Sequence, residues 1–102
     1  MSNKIIVLGG GMIGSAIARD LQEDKHLVTI ADRDEGIQDQ QARYGIDYIK
    51  LDFSELNSVA ESVKNYDLVV GAVPGFMGFE ILKTVLKSNS IPVNKASLWV
   101  NW

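Results

Sequence analysis

Three glycines and one carboxylate have the types and spacing that could do chemistry together. Gly9, Gly11 and Gly14 form a G-x-G-x-x-G pattern, and Asp32 follows Gly14 by 18 residues. A glycine-rich turn leaves backbone amides open to an anion, and a carboxylate can accept hydrogen bonds from sugar hydroxyls. The pattern by itself is weak, because small residues also make ordinary structural turns. Its meaning depends on the elements around it.

The segments beside the glycines have the patterns of a buried strand and an amphipathic helix. Residues 5–8 form a continuous apolar run, which is typical of a strand buried on both faces. Isoleucine or leucine then recurs at every fourth position over residues 13–21, which gives one apolar helical face. Residues 27–31 read as a second strand, so Asp32 stands at its carboxyl end.

The remainder of the chain continues this alternation. We predict a weak, exposed helix over residues 34–43, a strand over 48–51, a helix capped by Ser54, a strand over 68–72, and a helix after Pro74. Such an order implies right-handed crossovers and a parallel sheet with helices on both faces. The predicted fold class is α/β, a three-layer doubly wound parallel sheet of the Rossmann type. The predicted strand order is 3-2-1-4, and a fifth strand could follow near the C-terminus.

In this context each glycine has a distinct role. Gly9 would allow the tight turn out of the strand, and Gly11 would let a pyrophosphate approach the backbone. Gly14 would let the helix pack close to the sheet. The amides of Met12 and Ile13 would face the anion at the helix N-terminus, where the helix dipole is favourable. The sequence therefore predicts a dinucleotide site rather than a bare structural turn.

Three charged residues complete the predicted site. Asp32 would accept hydrogen bonds from the ribose of the adenosine half, which favours NAD over NADP because a 2′-phosphate would meet a like charge. Arg33 could lie over the adenine or pair with that phosphate, or it could be an ordinary solvated charge. Asp52 could reach the adenine amine, or it could cap the helix that follows it.

Composition limits the classes of function. With 102 residues, the chain is predicted to form one domain, residues 1–102. A net charge of -3 gives no reason to expect a nucleic-acid partner, and no apolar run is long enough to span a membrane. The sequence has no cysteine, and its one histidine cannot form a metal site alone. We expect a cytoplasmic protein without a metal, and we can assemble no catalytic residues.

Four stretches of the sequence carry a family resemblance. They are KIIVLGGGMIGSAIARDL, ADRD, KLDFSEL and YDLVVGAVPGFMGFEILKTVLKS, within residues 4–88. Together they resemble the saccharopine dehydrogenase family, especially its archaeal and bacterial members related to lysine 6-dehydrogenase. The glycine pattern is shared by many folds, whereas PGFMG is particular to this group. The resemblance implies that a loop runs along the nicotinamide half of the cofactor, and that it comprises Ala72, Val73, Pro74 and Gly75.

The sequence departs from that family in two ways. The resemblance implies a second domain that binds substrate and carries most catalytic groups, so we expect this chain to be a truncated or frame-altered form. In the atypical tail, residues 89–102, Asn94 replaces an expected acid, and Pro92 would remove an amide donor from a fifth strand. We expect the tail to pack on the sheet or into a partner chain. An uncovered sheet edge would favour a homodimer.

These observations favour the NAD(P)-binding domain of a saccharopine dehydrogenase-like oxidoreductase, an amino-acid dehydrogenase. In the parent enzyme a hydride would pass between the nicotinamide and the carbon that bears the substrate's amine, and this chain alone would be inactive. The alternative function is a nucleotide-sensing regulatory domain that resembles the potassium-transport regulatory modules. Those modules share the glycine motif and the acid of the second strand but lack the VPGFMG loop. A remnant of the fold that binds nothing is a third alternative.

Overall fold

The computed structural model describes residues 3–73, 80, 81 and 83, and the backbone of residues 96–99. Strands and helices alternate along the described chain, and the first four strands agree with the predicted ones to within one residue at each end. The bounds are β1 (Lys4–Leu8), α1 (Met12–Glu23), β2 (Leu27–Asp32), α2 (Gln38–Ala42), β3 (Asp47–Lys50), α3 (Leu56–Val63), β4 (Leu68–Gly71) and β5 (Ala96–Trp99).

The strands of the described chain form a five-stranded parallel sheet in the order β3-β2-β1-β4-β5. β1 lies in the middle, where Ile6 pairs with Thr29 of β2 on one side and with Val69 of β4 on the other. The chain builds outward from β1 to β3 and then returns to place β4 on the opposite side. The carboxyl ends of β1 and β4 therefore border the crevice where doubly wound sheets bind ligands. The predicted fold class and the order 3-2-1-4 are confirmed.

Helices cover both faces of the sheet and give the three predicted layers. One apolar cluster joins the sheet to α1, and it includes Ile5, Val7, Ala18, Val28, Ile30 and Val70. The opposite cluster joins the sheet to α3, and it includes Ile6, Leu8, Ala31, Val59, Val63 and Val69. Residues of β1 alternate between the two clusters, because successive side chains of a strand point to opposite faces. Burial on both faces explains the unbroken apolar runs.

The helix predicted after Pro74 is described at three positions. Glu80, Ile81 and Lys83 are helical, and the side chain of Ile81 is fully buried in the cluster that contains α3. The predicted start of this helix lies outside the described residues.

The prediction of one exposed helix over residues 34–43 is wrong. A 3₁₀ turn, Glu35–Ile37, leads into α2, which has five residues. Oδ1 of Asp34 accepts a hydrogen bond from the amide of Gly36 at 2.8 Å, which fixes the turn. Gln41 is 1% exposed, so α2 has a buried face that a polar sequence without clear periodicity did not reveal.

Part of the tail packs on the sheet, as expected. β5 pairs in parallel with β4, and its paired residues begin beyond Pro92. The proline, which has no amide to donate, is therefore not among the paired residues. Within the described chain, β3 and β5 form the two edges of the sheet.

Candidate functional site

The loop after β1 turns at Gly9, at the carboxyl end of the central strand. Gly9 has a φ of +108°, a left-handed conformation that favours glycine. A Cβ atom there would also overlap the carbonyl oxygen of Ala72, just beyond β4. The amide of Gly9 donates to the carbonyl of Ala31 at 2.8 Å. Gly9 therefore makes the tight turn by which the chain leaves the sheet, as predicted.

Gly14 lies in the first turn of α1, where the helix passes close to the loop. A Cβ atom on Gly14 would overlap the carbonyl oxygen of Gly9 and would lie 3.4 Å from the Cβ of Ala72. The absence of a side chain therefore lets the beginning of α1 pack against the ends of β1 and β4, which is the role predicted for this glycine.

Gly11 differs from the other two glycines of the pattern. It is the exposed N-cap residue of α1, with φ -72° and ψ -166°. Because any residue can adopt this conformation, the backbone itself does not require glycine here. A glycine that backbone geometry does not demand, at an exposed helix N-terminus, fits a need for close approach between the backbone and a ligand.

The first turn of α1 has the character of an anion site. Met12 is 88% exposed and Ile13 is 37% exposed, although both side chains are apolar. The first amides of an α-helix have no acceptor within the helix, and the helix dipole favours negative charge beside them. This turn contains no acidic residue that would compete for those amides.

Asp32 is fixed at the end of β2 by two backbone amides. Its Oδ2 accepts a hydrogen bond from the amide of Gly10 at 2.6 Å, and its Oδ1 accepts one from the amide of Asp34 at 2.9 Å. Each carboxylate oxygen can accept more than one hydrogen bond, so both can still accept a hydroxyl. The side chain is half-buried, beside the loop after β1.

The backbone of Asp32 is also held in place. Its carbonyl oxygen accepts hydrogen bonds from the amide of Leu51 at 3.0 Å and from the hydroxyl of Tyr48 at 2.9 Å. Burial raises the pKa of Tyr48 above the usual 10.0, and the negative charge of Glu35 raises it further. The phenol therefore stays protonated and donates this hydrogen bond at neutral pH.

Arg33 and Asp52 lie at exposed positions that follow β2 and β3. Oδ1 of Asp52 accepts hydrogen bonds from the hydroxyl of Ser54 at 2.7 Å and from its amide at 3.0 Å. These bonds hold the pKa of Asp52 below its usual 3.8, and the positive charge of Arg33 lowers it further. The structure thus brings Arg33 and Asp52 close enough to interact electrostatically.

Neither predicted cap of α3 is correct. α3 begins at Leu56, and its N-cap residue Glu55 makes no side-chain capping hydrogen bond. The bonds between Asp52 and Ser54 instead stabilise the turn before the helix. Contact between Asp52 and an adenine amine stays a prediction.

The loop after β4 lies against the loop after β1. The amide of Ala72 donates to the carbonyl of Leu8 at 2.8 Å. The side chains of Ala72 and Val73 are buried, so a ligand in the crevice would meet their backbone atoms. Pro74, the third predicted residue of this loop, lies outside the described residues.

Sequence reasoning missed three residues at this site, namely Gly10, Ser15 and Gln41. A Cβ atom on Gly10 would overlap Cδ1 of Ile37 and would lie 2.9 Å from Cγ2 of Ile30. Ser15 donates to the carbonyl of Gly10, and Gln41 donates to the hydroxyl of Ser15. The run of three glycines was a signal for Gly10. The two polar side chains gave none, because neither belongs to a recognisable motif.

Two other kinds of site find no support in the part of the chain that the structure describes. Over these residues, no group of three or more histidine, aspartate or glutamate side chains could hold a metal ion. No helix among them is both long enough and apolar enough to cross a membrane.

The site fits a nucleotide with a diphosphate. A glycine that the backbone does not require lies at the N-cap, the first helical turn is exposed and free of acid, and a fixed carboxylate ends the neighbouring strand. Diphosphate binding at a helix N-terminus beside a ribose-binding acid uses these three features.

A family model described as the saccharopine dehydrogenase NADP binding domain matches residues 5–98. This range contains every residue of the site. The description supports a nicotinamide dinucleotide as the cofactor. It points to NADP rather than to the NAD that Asp32 predicts.

Individual relatives agree with this family match. The chain is 36% identical to a glycerol-3-phosphate dehydrogenase [NAD(P)+] of Thermoanaerobacter sp. (strain X514), in an alignment that covers 91% of this chain and 31% of the relative. The chain thus spans about a third of that relative's length.

Solved structures show the same fold at low sequence identity. A dipicolinate synthase from Bacillus halodurans superposes with a TM-score of 0.72 at 18% identity, over 94% of this chain and 30% of that one. Saccharopine dehydrogenase (L-Glu forming) from Saccharomyces cerevisiae superposes with a TM-score of 0.72 at 20% identity, over 86% of this chain and 20% of that one.

Proposed function

Because the chain belongs to the saccharopine dehydrogenase family, through its NADP-binding domain, we propose that it binds a nicotinamide dinucleotide at the loop after β1. The observation that carries the proposal is the exposed glycine N-cap of α1, beside a carboxylate held 2.6 Å from the Gly10 amide. The first-turn amides of Met12 and Ile13 bind the diphosphate, and Asp32 accepts the ribose hydroxyls.

Titration of the 102-residue chain with NADH and NADPH tests this proposal, with binding followed by calorimetry. The variant Gly11→Val puts a branched side chain at the N-cap, and we expect it to lose measurable affinity while its circular dichroism is unchanged. The control is Ala16→Val, which adds similar bulk at an exposed position of the same helix and should bind like the parent. Undiminished affinity in folded Gly11→Val would remove the argument from the glycine.

We infer further that the chain prefers NAD to NADP. The carboxylate of Asp32 is held by the amides of Gly10 and Asp34. A 2′-phosphate would either meet this negative charge or force the side chain to rotate and give up both hydrogen bonds. The family description favours NADP, and the exposed guanidinium of Arg33 offers a partner for the phosphate. The fixed position of Asp32 is the reason for preferring NAD.

The preference is tested by comparing the dissociation constants of NADH and NADPH at moderate salt. We expect NADH to bind about 10-fold more tightly to the parent chain, which corresponds to about 1.4 kcal/mol. Asp32→Ala should narrow or reverse the difference, and Arg33→Ala should leave NADH affinity unchanged. If the parent binds NADPH more tightly and Arg33→Ala abolishes that advantage, the assignment of NAD is wrong.

We propose that this domain serves an oxidoreductase that acts on an amino acid or a related amine. The bound dinucleotide supplies a hydride donor or acceptor, and the residues of this chain bind and orient it. The loop after β4, with Ala72, Val73 and Pro74, is proposed to lie along the nicotinamide. A regulatory domain would bind the same nucleotides, so a neighbouring reading frame that encodes a substrate domain is the observation that distinguishes the enzyme.

The described residues suggest cofactor binding without catalysis. The 102-residue chain should therefore bind NADH but produce none when it is incubated with NAD and lysine or saccharopine. Production of NADH that depends on either amino acid would show that the chain holds catalytic groups.

A further inference from the structure

We propose that Gln41 is a positioning residue that acts through Ser15 to hold the Gly11 amide toward the diphosphate of the dinucleotide. The inference rests on the proposed function and adds to it a part of the chain far from the glycine motif. Gln41 lies on α2, in the crossover between β2 and β3, whereas Ser15 and Gly11 belong to α1 and its N-cap.

A chain of two hydrogen bonds joins Gln41 to the loop. Nε2 of Gln41 donates to Oγ of Ser15 at 3.0 Å, and Oγ of Ser15 donates to the carbonyl oxygen of Gly10 at 2.9 Å. Gln41 is 1% exposed and Ser15 is 6% exposed, so both bonds are shielded from water. A hydroxyl that accepts one hydrogen bond is oriented and polarised to donate the next.

The target of this chain is the peptide unit between Gly10 and Gly11. A trans peptide is planar, so the carbonyl of Gly10 and the N–H of Gly11 point in opposite directions, and fixing one fixes the other. No cis peptide bond is present among the described residues. Ser15 therefore sets the direction of the Gly11 N–H, which is the amide at the exposed N-cap of α1.

The neighbouring peptide unit is held from the other side. The amide of Gly10 donates to Asp32, so the two polar groups of Gly10 are tied to two different elements, β2 and α1. Gln41 adds α2 to this arrangement. Its Oε1 is buried without a hydrogen-bond partner among the described residues, so the amide nitrogen is the atom through which this side chain acts here.

Leucine at position 41 is a sharp test, because it keeps most of the side-chain volume and removes the donor. It also removes the unpaired Oε1, so we expect little loss in the free energy of unfolding. The matched control is Gln40→Leu, the same substitution at an exposed position of the same helix. Ser15→Ala removes the whole chain of hydrogen bonds, and Ser15→Thr keeps a hydroxyl and should restore binding.

The measured quantities are the dissociation constants of ADP-ribose, which contains a diphosphate, and of adenosine, which does not. We expect ADP-ribose to bind about 10-fold more weakly to Ser15→Ala and about 3-fold more weakly to Gln41→Leu, with no change for Gln40→Leu. Adenosine affinity should stay the same in all variants. The amide resonance of Gly11 in nitrogen-15 spectra should shift in both Ser15→Ala and Gln41→Leu.

A double variant shows whether Gln41 acts through Ser15. If it does, Gln41→Leu has no further effect in the Ser15→Ala background. Additive losses, an equal loss of adenosine affinity, or unchanged ADP-ribose affinity in Gln41→Leu would each overturn the inference. Failure of the proposed function looks different, because the parent chain would then bind neither NADH nor ADP-ribose.

Discussion

The carboxylate of Asp32 accepts a hydrogen bond from the backbone amide of Gly10, with 2.6 Å between Oδ2 and the nitrogen. The residue predicted to recognise ribose is thus also part of the loop predicted to bind diphosphate. Its second oxygen holds the amide of Asp34, at the start of the next turn. One side chain therefore fixes the relative positions of the loops after β1 and β2.

We predict that Asp32→Ala destabilises the chain even without a ligand. Two backbone amides lose a charged acceptor, so the free energy of unfolding should fall by about 1 to 3 kcal/mol in urea titrations. Asp20→Ala, at an exposed position of α1, is the control and should change it by less than about 0.5 kcal/mol. Equal stability of the two variants would mean that the bonds of Asp32 add nothing to the fold.

Serine substitutions should separate the structural glycines from the ligand-facing one. Gly9→Ser and Gly14→Ser place a side chain against backbone carbonyls, and each should cost about 1 to 3 kcal/mol of unfolding free energy. Gly11→Ser introduces a favourable N-cap residue and should be neutral or stabilising. Thermal unfolding measures the difference. A Gly11→Ser variant as unstable as Gly14→Ser would make Gly11 a structural glycine too.

Gly10 and Ile37 should show strong energetic coupling. Gly10→Ala puts a methyl group into Cδ1 of Ile37, and we expect a loss of about 1 to 3 kcal/mol. Ile37→Val removes that carbon, so it should recover about half of the loss when the two substitutions are combined. Recovery is incomplete because Ile30 also lies close. Strictly additive losses in a double-mutant cycle would contradict this account of the contact.

The pKa of Asp52 should depend on Ser54. In the folded chain this pKa is lowered below 3.8, mainly by the Ser54 hydroxyl and amide. The resulting stabilisation is present above pH 3.8 and is lost as pH falls through the folded pKa. Ser54→Ala should raise the pKa toward 3.8, as measured by NMR titration of the carboxyl carbon, whereas Ser58→Ala should not. A pKa that does not move in Ser54→Ala would show that the hydroxyl is not the main cause.

The sequence was most informative where structure is local. The unbroken apolar runs identified the buried strands, and the fourfold spacing in residues 13–21 identified α1, because strands and helices impose their own periods on side chains. The roles of Gly9 and Gly14 followed from their place between those two elements. Both positions show the steric restriction that the motif implies.

Contacts between distant segments were not predictable in this way. Gln41 and Ser15 are 26 residues apart, and neither pattern nor composition connects them. Ser54 has the type and position of an N-cap residue, but its hydrogen bonds go to Asp52 instead, one residue type competing with another for the same turn. The choice between NAD and NADP likewise depends on how Asp32 and Arg33 share one small space.

The central position of β1 determines when the sheet can be completed during protein synthesis. Its first neighbour, β2, ends at Asp32, whereas its second neighbour, β4, ends at Gly71, 39 residues later (71 minus 32). At roughly 5 to 20 residues per second, a ribosome takes about 2 to 8 seconds to make that stretch. Throughout this interval one edge of the most apolar strand has no partner. A nascent chain halted between these two points is therefore the species most prone to aggregate, and the one a chaperone would recognise.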